Sequence, residues 1–271
     1  MNEASNTATT DKAAASKKIK DPLWKRLYFA FSLLVMAVLV AHFAWVASGT
    51  GEWKLAKDED GIKVYLLKAP GDPLLKARTV MEGDYTLTQL ASQHLIVGDT
   101  LQVCKEWIPG CKDMKRIQDF DPVRGYDKDM WRVEVPGFAD RELLITTMFD
   151  QNKQTKEVVL DVVSIPNTLP HTPGVVRIER MHNRWTYTPK ANGKVEVSLI
   201  QDVDLPGIGF FPYILLNMTL VDHSHKFFAT TLRTTLKEDR FVNAKLDFID
   251  DIRRPDSRTQ PGTLSPAAAI E

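Results

Sequence analysis

Residues 204–237 have the sequence DLPGIGFFPYILLNMTLVDHSHKFFATTLRTTLK, and this stretch decides the fold. Pro206, Gly207 and Gly209 end the strand that precedes it. Pro212 occupies the first helical turn, where the missing N–H would have no partner in any case. The remainder has the helical period, so we expect one long helix near the C-terminus of the domain.

The predicted helix has one charged face and one mixed face. At about 100° per residue, four charged side chains gather on the side toward water: Asp222, Lys226, Arg233 and Lys237. The opposite face interleaves large apolar groups with amides and hydroxyls: Tyr213, Asn217, Leu220, Val221, Ser224, Phe228, Thr231 and Thr235. Buried hydroxyls and amides cost about 1 to 3 kcal/mol each unless they find partners. The mixed face therefore indicates the wall of a ligand cavity, or else a core helix whose Ser and Thr side chains bond to helix carbonyls.

The composition excludes several function classes. The 271 residues contain 35 basic and 35 acidic side chains, interspersed, which argues against nucleic acid as a partner. Nucleophile-elbow, phosphate-loop and zinc-protease motifs are absent from the sequence, so it predicts no catalytic residue, cofactor or metal site. The two cysteines, Cys104 and Cys111, are either a disulfide formed in an oxidising compartment or two unrelated thiols.

The N-terminal region predicts a membrane segment. No side chain between residues 27 and 51 carries a formal charge, and this uncharged segment is long enough to cross a bilayer. We therefore expect a disordered cytoplasmic tail at 1–23 and a transmembrane helix at 24–48. Lys and Arg are concentrated before the helix, so the positive-inside rule puts the following domain outside the cytoplasm, in the periplasm of a bacterial cell. The alternative is a signal peptide cleaved near Ala47 and Ser48.

The residues after the membrane segment alternate with the period of strands. Asp60-Gly61 and Asn192-Gly193 are hairpin signals. In all, the pattern predicts nine strands, one of them over 175–189, with two short helices inserted after the third strand. The expected fold class is α+β: a curved antiparallel sheet wrapped around the long C-terminal helix, forming a domain at 51–245. A disordered tail is expected at 253–271.

Short motifs in this region resemble the START domain, the StAR-related lipid-transfer family of the helix-grip superfamily. The resemblance spans 52–237. It rests on Trp53, DGIKVY at 60–65, WRVEVP at 131–136, DRE at 140–142, Pro170, GVVRIE at 174–179, Trp185, the DLPG turn, Pro212 and Asn217. It implies a sheet that grips the terminal helix around one lipid-sized cavity, with no chemistry performed. The implied ligand is a sterol, fatty acid or phospholipid, bound for transfer or sensing at a membrane bilayer; a protein partner is unknown.

The resemblance also implies gating elements. They are the loop at 136–140, which carries Phe138, and the turn before the last helix, which carries Ile208, Phe210 and Phe211. These side chains would dock a bilayer, or else pack beneath their loops.

Charged and ring side chains supply the remaining candidates. Trp107 and Arg177 join the expected cavity wall. Some phospholipid-binding members hold a charged headgroup beside the tryptophan matching Trp107. In those members an arginine and an aspartate flank the tryptophan and hold the headgroup. The matching positions here are Cys104 and Ile108, which carry no charge, so a less charged lipid is favoured.

Three charged side chains, Glu134, Arg141 and Arg177, are candidate buried charges. Each is a structural ion pair, an exposed strand residue or a headgroup ligand. His223 and His225 point about 200° apart on a helix, so they cannot share a metal and are expected on the surface. His94 has no predicted partner.

Two other function classes stay open from the sequence. One is a cyclase-type or hydrolase-type enzyme of the same superfamily, which would need an acid–base pair in the cavity. The other is an interaction module whose lipid occupancy controls a partner.

Overall fold

The computed structural model describes residues 23–95, 100–108, 110–204 and 210–251. The chain divides after Ala44 into two compact units, which are described separately below. The tails expected at 1–23 and 253–271 lie outside the described residues, apart from Leu23.

The described part of the first unit belongs to helix α1, Leu23–Ala47, whose last three residues are assigned to the second unit. It has 25 residues and a mean hydropathy of 2.3, and within the described ranges it is the one helix long and apolar enough to cross a membrane. At about 1.5 Å per residue it exceeds the thickness of a hydrocarbon core. Its place near the N-terminus fits either a membrane anchor or a signal sequence.

The second unit combines a large sheet with helices, as the α+β helix-grip fold class predicts. Its elements are β1 Trp53–Glu59, β2 Ile62–Leu67, β3 Lys76–Gly83, α2 Leu87–Leu95, α3 Thr100–Trp107, β4 Cys111–Asp121, β5 Tyr126–Val133, β6 Arg141–Gln151, β7 Val158–Ser164, β8 Val176–Arg177, β9 Met181–Pro189, β10 Val195–Val203, α4 Phe210–Lys226, a π-helical segment Phe227–Leu232, α5 Arg233–Thr235 and α6 Asp239–Val242.

The strands form one sheet in the order β1-β2-β3-β10-β9-β7-β6-β5-β4. All neighbours in that path are antiparallel, and the short strand β8 pairs in parallel with β6. The single strand predicted over 175–189 is thus two strands, because the chain leaves β6 after Arg177 and joins β7 and β10 from Met181. Alternation of side chains cannot reveal such a change of partner strand.

The long helix predicted after Pro212 is present, with a π-helical segment at Phe227–Leu232. Phe228 and Leu232 in that segment are fully buried in the apolar core. A π-helical turn changes the angular spacing of side chains, so the ideal 100° pattern used for prediction fails along it.

The predicted charged face of the helix points largely to water. Asp222, Lys226 and Lys237 are exposed, while Arg233 is half-buried and donates to the carbonyl oxygen of Asp60 at 2.8 Å. His225, expected on the surface, is buried instead, and its Nε2 lies 3.2 Å from the carbonyl oxygen of Glu59. The strand β1 covers this side of the helix, which periodicity alone does not show.

The packed chain extends past the boundary expected at 245. Ile249 is buried in the core. The carboxylate of Asp251 accepts from the backbone N–H groups of Leu87 and Thr88, at 2.6 and 3.2 Å. These groups begin helix α2 and have no partner within the helix, so Asp251 caps it from the far end of the domain.

Candidate ligand cavity

A cavity of about 470 Å³ lies between the sheet and the helices of the second unit. Alternate residues of the strands face it, since side chains in a strand point to opposite sides in turn. From β5 and β6 these are Asp129, Trp131, Val133, Arg141, Leu143, Ile145 and Thr147; from β9 and β10 they are Met181, Asn183, Trp185, Leu199, Gln201 and Val203. The helices contribute Gln93, His94, Val103, Trp107, His223, Ser224 and Phe227.

An aromatic cluster forms one wall of the cavity. The ring centroids of Trp107 and Trp185 are 5.7 Å apart in an edge-to-face arrangement, and Phe227 lies 5.8 Å from Trp107. Phe228 stacks on Trp185 from the core side at 6.0 Å. Such contacts fix the ring positions, so this wall is rigid and apolar.

His94 completes the aromatic wall without adding charge. Its Nε2 lies 3.0 Å from the hydroxyl of Tyr187, and its ring packs against Trp107 and Trp185. Burial lowers the pKa of His94 to about 3, so the ring is neutral at physiological pH. The sequence did not identify this residue, because its partner Tyr187 is distant in the chain.

The predicted cavity-wall residues separate into groups in the structure. Trp107 and Ser224 line the cavity, and the hydroxyl of Ser224 donates to Gln201 at 3.4 Å. Phe228 belongs to the apolar core, and Val221 packs against it. The others are half-buried along the helix: Tyr213, Asn217, Leu220 and Thr231.

Asn217 has a structural contact of its own. Its Nδ2 donates to the carbonyl oxygen of Pro73 at 3.0 Å, and its Oδ1 accepts from the N–H of Leu75 at 2.9 Å. The side chain thus ties helix α4 to the segment before β3. These are partners for a half-buried amide that the helical pattern could not anticipate.

Arg177 lies on the opposite face of β6 from the cavity, in an ion pair with Glu142. Burial alone would raise the pKa of Glu142. Hydrogen bonds from Arg177 and from the hydroxyl of Thr172, 2.8 Å away, outweigh that cost and hold the pKa below its ordinary value. The guanidinium also donates to the carbonyl oxygens of Pro166, Leu169 and Pro170 at 2.6 to 2.8 Å.

The predicted gating elements are described in part. Phe138 is 46% exposed in the loop between β5 and β6. Ile208 lies outside the described residues, and Phe210 and Phe211 begin helix α4 with side chains that are also outside the description. Glu134, near the same loop, is exposed and lies 3.6 Å from Lys112.

Cys104 and Cys111 are joined by a disulfide, with their Cα atoms 5.8 Å apart. Both are buried, with Met114, in a small apolar cluster beside the main core. The bond ties helix α3 to the first residue of β4. It thereby restrains Trp107 at the end of α3, next to the cavity.

Asp129 is a carboxylate in the cavity wall and is 3% exposed. One guanidinium serves two acids here: Arg116 Nε lies 3.0 Å from Asp129, and Nη1 lies 2.6 Å from Asp127. Burial raises the pKa of Asp129 to about 7, Arg116 lowers it in part, and the charge of Asp127 raises it further. A single cation cannot fully compensate two buried carboxylates.

We expect Asp129→Asn to stabilise the protein above pH 7. The folded state holds the proton more tightly than the unfolded chain, so ionisation of Asp129 costs stability that grows from about pH 4 and is complete above pH 7. The gain should be on the order of 1 to 4 kcal/mol at pH 8 and vanish toward pH 4. Unfolding curves at both pH values test this. Asp150→Asn, at an exposed position, serves as the control. If the free energy of unfolding varies with pH in the same way in wild type and in Asp129→Asn, the assignment is wrong.

The fold is similar to that of StAR-related lipid transfer proteins of known structure. No protein-family model matches the chain. An uncharacterized protein of Pseudomonas aeruginosa is 28% identical over 195 residues, which cover 70% of this chain and 91% of that protein. A StAR-related lipid transfer protein from Xanthomonas axonopodis matches with a TM-score of 0.58 and 25% identity, over 70% of this chain and 100% of the other. Human StAR-related lipid transfer protein 5 matches with a TM-score of 0.53 and 15% identity, over 76% and 96%.

Proposed function

The chain after its N-terminal helix is a START-type helix-grip domain, and from this premise we propose that it binds one lipid molecule in the internal cavity. The supporting observation is the cavity of about 470 Å³, walled by aromatic and aliphatic side chains and containing a few polar groups. Ligand pockets generally have volumes of about 300 to 1,000 Å³ and this mixture of walls. The apolar part would enclose the lipid body while the polar groups orient its head.

The proposed setting is a membrane. Helix α1 would be retained as a single-pass anchor, with the lysines and arginines before it on the cytoplasmic side. The lipid-binding domain would then lie in the periplasm of a bacterial inner membrane. The disulfide supports this placement, since such bonds persist in oxidising compartments. Phe138, exposed in its loop, would contact the bilayer together with Phe210 and Phe211.

We propose binding for transfer or sensing rather than catalysis. The observation that favours a cavity enzyme is Asp129, whose pKa of about 7 suits a general acid or base. Its carboxylate, however, already faces Arg116 at 3.0 Å, and the neutral His94 is occupied by Tyr187. Both groups therefore have protein partners outside the cavity lining, although Asp129 Oδ1 accepts no hydrogen bond within the described residues.

Native mass spectrometry of the full chain, purified from its host and released from detergent micelles, tests the proposal. We expect one lipid molecule per protein, retained after the micelle is removed, and a single lipid class on extraction. A chain that carries no lipid, and that takes up no sterol, fatty acid or phospholipid when these are offered in vesicles, would contradict the proposal.

A further inference from the structure

Arg141 is a buried cation at the start of β6. Its side chain is 2% exposed and faces the cavity, on the same side of the strand as Leu143 and Ile145. Its Nη1 donates to the carbonyl oxygen of Ala139, two residues earlier in the chain. Its Nε and Nη2 are buried and have no hydrogen-bond partner within the described residues.

The acidic groups nearest in sequence are engaged elsewhere. Asp140 pairs with Lys112 at 3.0 Å, and Glu142 points to the other face of the sheet, toward Arg177. Asp129, also in the cavity wall, faces Arg116. Among the residues that the structure describes, no Asp or Glu forms an ion pair with Arg141. A guanidinium stays protonated in proteins, so its charge is buried without a counter-ion, which is costly.

Arg177 shows what a structural buried arginine looks like in the same domain. It is 5% exposed, and all five of its N–H groups are used, on Glu142 and on three carbonyl oxygens. Arg141 differs because the edge of its guanidinium formed by Nε and Nη2 has no hydrogen-bond acceptor within the described residues. Nε–H and an Nη2–H point in the same direction along that edge, at the spacing that matches the two oxygens of a carboxylate.

A further unpaired donor lies in the same cavity wall. Trp131 Nε1 also lines the cavity and has no partner within the described residues. Trp131 is paired with Leu143, and Arg141 with Val133, so Trp131 and Arg141 are diagonal neighbours on one face of the sheet. Such neighbours are roughly 7 to 8 Å apart, within reach of long side chains. The two residues thus place unpaired donors on the same part of the cavity wall.

We infer that Arg141 binds the carboxylate of a long-chain fatty acid, whose hydrocarbon tail occupies the apolar cavity. This rests on the proposed lipid-binding function and names the ligand class. Arg141 is the only Arg or Lys among the described residues that line the cavity. Of the two lining histidines, His94 is neutral and His223 is exposed to solvent. One fixed positive charge balances one negative charge, which favours a single carboxylate. It is also consistent with the less charged lipid expected from Cys104 and Ile108.

Photo-crosslinking with two matched probes tests the inference. The full chain is reconstituted in phosphatidylcholine nanodiscs with palmitic acid or palmityl alcohol, each carrying a diazirine near the tail end, and labelled peptides are mapped by mass spectrometry. The acid should label cavity peptides at least about 10-fold more than the alcohol at pH 7.5, since a charge-assisted bidentate contact is worth about that much or more.

Arg141→Met should lower cavity labelling by the acid about 10- to 100-fold and leave labelling by the alcohol unchanged. Arg141→Lys keeps the charge without the bidentate edge, so its loss should be intermediate. The control is Arg132→Met, on the adjacent strand and the opposite face, which should label as wild type. Because the free guanidinium is uncompensated, Arg141→Met should also melt at or above the wild-type temperature without ligand.

Three results would overturn the inference. Equal labelling by acid and alcohol, unaffected by Arg141→Met, would leave a lipid-binding cavity whose ligand head is not anionic. A lower melting temperature for Arg141→Met would make the residue structural. Unlabelled phosphatidic acid that reduces labelling by the acid probe more than unlabelled palmitic acid does would show that Arg141 prefers a phosphate to a carboxylate. Absence of cavity labelling by both probes in wild type would instead remove the proposed function itself.

Discussion

Replacing Arg177 with methionine should lower the free energy of unfolding by about 3 to 5 kcal/mol. Methionine fills a similar volume but donates no hydrogen bond. The buried Glu142 carboxylate therefore loses its hydrogen-bonded counter-ion and keeps only Arg132 at 3.8 Å, and three carbonyl oxygens lose their donor. These carbonyls belong to the connection between β7 and β8, so that segment should loosen as well. Denaturant unfolding of the full chain in a mild detergent measures the effect.

The pH dependence of this loss identifies its cause. The pKa of Glu142 is held below its ordinary value in the folded protein, so its ion pair stabilises the fold above about pH 4. That contribution disappears as the pH falls through the pKa of Glu142 in the folded protein. The difference in unfolding free energy between wild type and Arg177→Met should narrow in that pH range. Arg184→Met is the control. This arginine is half-exposed and lies 3.6 Å from Asp161, so its replacement should lower the free energy of unfolding by less than about 1 kcal/mol. Similar losses for both variants would contradict the assignment.

Val162→Trp should abolish lipid uptake, weakening binding about 100-fold or more. Val162 faces the cavity from β7, with Thr147 and Asn183 as its cross-strand neighbours in the cavity wall. An indole there occupies space that the lipid tail would need, and expelling or compressing the tail costs several kcal/mol. The cavity can accept the larger ring without displacing packed neighbours, so the melting temperature should change little.

Val163→Trp provides the matched comparison. The neighbouring residue points to the other face of the same strand and is half-buried, so the added ring does not enter the cavity. Uptake of a radiolabelled fatty acid, sterol or phospholipid by the full chain, compared across wild type and both variants, gives the result. If Val162→Trp takes up as much lipid as wild type, the cavity is not the binding site.

The fold class was predictable because its signals are local. Alternation over the strand segments and the turn pairs Asp60-Gly61 and Asn192-Gly193 specify which backbone is extended and where it reverses. Proline and glycine before residue 213 likewise show where the long helix begins. The exception is the division between β8 and β9, which follows from Arg177 turning toward Glu142 on another strand.

The candidate site was predictable only in part. The mixed helical face placed Ser224 at the cavity, and the family motif placed Trp107 there. Asn217, on the same predicted face, bonds to the segment before β3 instead. A helical pattern identifies which residues share a face, whereas the surface opposite that face is contributed by distant parts of the chain.

The sequence by itself determined the apolar N-terminal helix, the antiparallel sheet and the long terminal helix, since each depends on side-chain periodicity within one segment. Only the tertiary structure decided the roles of the two buried arginines. Arg141 and Arg177 both belong to strands that contact each other, yet one faces the cavity with an empty edge and the other faces Glu142 with every donor used. The partners of a polar side chain are set by non-local contacts, and those exist only once the sheet has formed.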